Sequence, residues 1–111
     1  MVFFINDNKF SYLKKLVGKV YKLLPIYEGK DFYGKIVCSP DEALYNFKKQ
    51  LILLETEIIG LNLQDDKVEE LLILIQGMKR YEVGQHTEVK YCTMKALNIC
   101  KKIIAYYEDK Q

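Results

Sequence analysis

The sequence predicts an all-α protein folded as an antiparallel four-helix bundle, and three observations carry that prediction. Apolar residues recur at alternating steps of three and four along four stretches, 8–27, 40–59, 66–80 and 88–108. Helix start and stop signals fall at the edges of those stretches. The 111 residues, 50% of them hydrophobic, suffice for one core and leave nothing for a second, so 1–111 reads as a single domain.

The first stretch places Phe10, Leu13, Val17, Val20, Leu24 and Tyr27 on one stripe. Pro25 lacks a backbone donor and Gly29 follows soon after, so this helix is expected to fail or kink near Leu24. A linker then runs to about Cys38; it holds Gly29, Phe32, Tyr33 and Gly34, with an extended or helical turn near Ile36. The second helix has the clearest start: Ser39 as N-cap, Pro40 at the first helical position, and Glu42 completing a capping box. Its stripe is Leu44, Phe47, Leu51, Leu54 and Ile58, and Gly60 is the expected left-handed stop. Asp65 or Asp66 caps the third helix, whose charge order, Glu69 and Glu70 early and Lys79 and Arg80 late, suits the helix dipole. Val68, Leu71, Ile75 and Met78 form its stripe, Gly77 weakens its last turn and Gly84 marks a loop. The fourth helix starts near Thr87, carries Val89, Cys92, Ala96, Ile99, Ile103 and Tyr106, and runs to about Glu108. Short loops after the second and third helices favour antiparallel neighbours.

Composition excludes several classes. A net charge of +2 with 29% charged residues fits neither an acidic disordered tail nor a polycation held to nucleic acid by bulk charge. No apolar run approaches the ~20 residues that span a bilayer, so no membrane partner is expected. Residues 2–5 are apolar but too short, and lack the flanks, for a signal peptide. Three cysteines without paired spacing suit a reducing compartment, which points to the cytoplasm. Arg80 is the only arginine, a bias of codon usage that suggests an AT-rich bacterial or phage genome.

Chemistry is sparse. His86 is the only histidine and is expected in the loop before the fourth helix, and no Glu-x-x-His pair of the di-iron bundles occurs. Cys92 and Cys100 stand eight residues apart, ~12 Å along one helix, too far for one metal to bridge. Cys38 precedes the Ser39 cap and reads either as a reactive thiol or as a buried structural one. Most carboxylates sit at helix starts, where capping and the dipole account for them. Glu55 and Glu57 come late in their helix, against the dipole, which suggests pairing with lysines across the bundle. Glycines occur singly, so no phosphate-binding loop is supported. No catalytic residue, metal site or cofactor is predicted.

Three surfaces remain. Lys14, Lys15, Lys19 and Lys22 give the first helix a basic face beside Tyr12 and Tyr21, read as a solvated face or as a site for phosphates or an acidic protein. Phe32, Tyr33, Tyr81 and His86 gather, with Tyr27 and Arg80, on loops at one end, where they form a binding surface or seal the core. Leu71, Leu72, Ile73, Leu74 and Ile75 point around the whole helix circumference, so Leu72, Ile73 and Leu74, with Ile52 and Ile59 of the second helix, form a candidate oligomer face. The alternative is that the first linker covers it. The expected function is non-enzymatic: a homo-oligomer acting through an unknown protein partner. A nucleic-acid-associated factor using the first-helix lysines stands second, and a bundle that binds or sequesters a small ligand third.

Overall fold

The computed structural model describes residues 7–109, so the apolar stretch at 2–5 lies outside the described residues. The helices are α1 (Asp7–Tyr21), α2 (Leu23–Glu28), α3 (Pro40–Gly60), α4 (Asp66–Met78) and α5 (His86–Glu108). Together α1 and α2 form the first member of a four-helix bundle, broken at Lys22. Around the bundle α1 lies beside α5, α5 beside α4 and α4 beside α3, while α2 closes the ring against α3 and α5. The helices alternate in direction: the end of α2 meets the loop before α5 through Tyr27 and Gln85, whereas Lys19 of α1 reaches Glu57 near the far end of α3.

The break lies one turn earlier than Pro25 itself suggests. Pro25 occupies the first turn of α2, where an amide needs no helical acceptor, so the ring is tolerated there. Its missing donor leaves Tyr21 without the next bond of the ladder. The amide of Lys22 still bonds Gly18 O at 3.2 Å and that of Ile26 bonds Lys22 O at 3.1 Å, so the path bends without ending. The helix expected over 8–27 with a break near Leu24 is thus two segments parted at Lys22, and the second ends at Gly29 in the left-handed conformation, φ 71°.

Ser39 caps α3 by accepting the Glu42 amide at 3.2 Å, and Asp65 caps α4 by accepting that of Lys67 at 2.7 Å. Three expected boundaries shift. Gly60 is still helical, and the left-handed residue is Asn62, φ 53°, because α3 closes with a tight turn through Leu61. The third helix stops at Met78, past the weakening Gly77. His86 is the first residue of α5, not a loop residue, since the amide of Val89 already bonds Gln85 O.

Leu13, Leu16, Val20 and Leu23 line the core from α1 and α2, against Phe47, Leu51, Leu54 and Ile58 of α3. The ring of Tyr27 meets Phe47 edge to face with centroids 5.1 Å apart. Phe10, Val17 and Leu24, expected on the stripe, sit at its edge. On α5 the buried line is Val89, Thr93, Ala96, Cys100, Ile103 and Tyr107, so Cys92 and Tyr106 are displaced to its flank. The all-apolar run 71–75 also resolves. Successive residues turn by ~100°, which sets Leu72 and Leu74 on opposite flanks of the buried Leu71 and Ile75. Both flanking leucines pack partly against the core, and Ile73 alone of the five points to water.

Candidate interaction site

The loop end of the bundle is built on Tyr27. Its buried ring lets the hydroxyl donate to Glu82 O and accept the amide of Gln85 at 2.7 Å, which ties α2 to the loop before α5. Beyond it, Gly29 accepts the amide of Val37 at 2.8 Å, and Lys30 pairs with Ile36 in a single antiparallel bridge. Within that bridge the carboxylate of Asp31 accepts the amides of Tyr33 and Lys35, both at 2.9 Å, and Gly34 takes a positive φ of 78°. The backbone of this turn is therefore closed on itself. Its side chains are not: Phe32 is 88% exposed, Tyr33 95% and Ile36 70%, and Val37 and Val83 are exposed beside them. Lys22 places its ammonium 5.4 Å from the Phe32 ring centroid.

Behind the turn is a recess of about 400 Å³ bounded by Tyr27, Ile36, Cys38, Val83 and His86. His86 Nε2 lies 2.7 Å from Glu28 Oε2, and Lys30 is 3.6 Å from the same oxygen, so the one histidine belongs to a charge cluster at the base of the turn.

Of the four residues expected on this surface, Phe32, Tyr33 and His86 share the end. Tyr81 does not. It is half-buried, and its hydroxyl lies 3.1 Å from Cys92 Sγ beside a groove between α4 and α5. That contact, with burial, pushes the Tyr81 phenol up to about 12, so it stays protonated. The turn expected near Ile36 is present, and Val37 and Val83 join its exposed apolar surface without a sequence signal of their own; Asp31 three residues before Gly34 is the signature of a tight turn.

Among the first-helix lysines, Lys14, Lys15 and Lys22 are exposed, whereas Lys19 grips both carboxylate oxygens of Glu57 at 2.7 and 2.8 Å. Lys79 likewise meets Glu55 at 2.8 Å, so both late carboxylates of α3 pair across the bundle. The candidate oligomer face divides. Ile59 and Leu72 line a cleft of about 870 Å³ at the opposite end, with Leu63 and Tyr106, while Ile73 and Leu74 border the groove toward α5. Ile52 is exposed two turns before Ile59.

Cys38, Cys92 and Cys100 are free thiols. Burial pushes the Cys100 thiol up to about 11. Among the described residues no group of three His, Cys, Asp or Glu side chains could hold a metal ion, and no helix is long and apolar enough to cross a membrane. Comparison with protein-family models, curated proteins and solved structures gives no match.

Proposed function

We propose that this chain is a non-enzymatic interaction module that binds a protein partner through the aromatic turn at 30–37. One observation carries the reading: the turn spends a bridge, an aspartate and a left-handed glycine to hold Phe32 and Tyr33 almost wholly in water. Ordering backbone costs about 1–2 kcal/mol per residue, and a core seal would bury the rings that the ordering positions. Rigid exposed aromatics beside apolar Ile36 and Val37 have the composition of an interface anchor. Phe32→Ala with Tyr33→Ala tests it. The double variant is expected to keep its thermal midpoint, since surface changes usually cost within about 0.5 kcal/mol, and to lose a protein that the wild-type chain cross-links in host extract. Identical cross-linked species from both chains would refute the reading.

Self-association is the second part of the proposal. Exposed Ile52 and Ile59 stand seven residues apart on α3, with exposed Tyr45 seven residues before Ile52, the spacing of a helix seam. Light scattering at tens of micromolar is expected to give a mass above 13.1 kDa, lowered by Ile52→Glu. A monomer there removes this part and leaves the aromatic turn untouched. Three free thiols and the dominance of lysine over Arg80 support a cytoplasmic protein of bacterial or phage origin.

A further inference from the structure

Residues 8–27 and 89–107 contain nine lysines and no carboxylate; the acids of the same helices, Asp7, Glu28, Glu88 and Glu108, stand only at their ends. The fold sets these two stretches side by side, because α1 packs along α5 in the antiparallel sense. On the resulting wall Lys14, Lys15 and Lys22 are exposed, and their neighbours are the rings of Phe10, Tyr12 and Phe32. Lys90, Lys101 and Lys102 of α5 are exposed and form no ion pair among the described residues. The opposite wall, α3 and α4, has the reverse balance: seven carboxylates against Lys48, Lys49 and Lys67. A net charge of +2 therefore hides a molecule with one basic side and one acidic side.

We propose that the α1/α5 wall binds the phosphate backbone of double-stranded nucleic acid without reading its sequence. Lys90 and Lys101, within ~20° of each other around α5, span ~16 Å of helix axis, and the α1 lysines run beside them at the ~8–10 Å spacing of packed helices. Two parallel rows of unpaired ammonium groups meet a rod that carries one negative charge per ~1.7 Å. Lysines are point charges without the planar fork that reads base edges, so they contact phosphate and leave sequence unread. Exposed Tyr21 and Tyr91 interleave with the lysines and can pack on sugars. The acidic wall faces away and fixes which side approaches. A bilayer is the poorer fit, since the most exposed apolar residues, Phe32 and Tyr33, project from the end of the bundle.

Fluorescence anisotropy with a labelled duplex of about 24 base pairs and arbitrary sequence tests this. Binding is expected at low salt and should weaken by ~10-fold or more between about 50 and 200 mM salt. Lys14→Glu with Lys101→Glu should weaken it at least ~10-fold, whereas Lys49→Glu with Lys67→Glu, the same change of net charge on the other wall, should cost less than ~3-fold. Equal losses from both pairs would overturn the proposal. So would no binding at tens of micromolar in low salt, or wall-dependent binding to phosphatidylserine vesicles without binding to the duplex. Tyr33→Ala, which removes a ring of the turn that contacts no wall lysine, should keep its duplex affinity, so failure here is distinguishable from failure of the protein-binding turn.

Discussion

Thr93 is buried on the inner line of α5, and its hydroxyl has no hydrogen-bond partner among the described residues. Leaving such a group dry costs about 1–3 kcal/mol, so Thr93→Val, which keeps the branched shape, is expected to stabilise the fold by about 1 kcal/mol and to raise the thermal midpoint. Glu55 acts in the other direction. The hydrogen bond from Lys79 holds its carboxyl below the usual glutamate range, against the opposing effect of burial. A carboxyl lowered on folding contributes stability above its unfolded value, about 4.3, and loses it as pH falls through the folded value. Glu55→Gln should therefore lower the urea midpoint at pH 7 and match wild type near pH 3; an equal deficit at both would show that the pair does not set the acid limb. Cys100, its thiol pushed up to about 11, should resist alkylation until the bundle unfolds globally.

Among the elements, α2 and the turn after it depend most on single backbone positions. A Cβ at Gly29 would stand 3.1 Å from Cys38 O and 3.2 Å from Cys38 Sγ, at a φ of +71° that disfavours any side chain. Gly29→Ala is expected to cost about 2 kcal/mol and to disturb the aromatic turn, whereas Gly34→Ala, with open space around it, should cost about 1 from conformation alone. Denaturant midpoints of the two variants check the order. The helices themselves were legible because apolar spacing and caps are local: the caps at Ser39 and Asp65 follow from sequence, and the misplaced acids Glu55 and Glu57 signalled pairing without naming Lys79 and Lys19. What escaped was non-local. Nothing along the chain says that Tyr81 turns inward to Cys92, or that Leu72 and Leu74 each find a neighbouring helix; both depend on which helices flank α4. The turn at 30–37 was half legible, its aromatics visible and its closure by Asp31 overlooked beside the stronger helix signals.

At the scale of the molecule, charge is sorted by helix pair. That sorting is invisible in the total and visible once α1 and α5 are neighbours. The break at Lys22 bears on the same wall. The second segment is anchored by Tyr27 to the loop before α5, whereas α1 is held by Leu13, Leu16 and Val20 in the core and by the Lys19 to Glu57 pair. Amide hydrogen exchange in low denaturant should accordingly find residues 13–21 opening together at a lower free energy than the centre of α5. Any rod-like polyanion that grips both rows must clamp that opening shut, so its presence would be written in slowed deuterium uptake along α1 even where it touches no backbone.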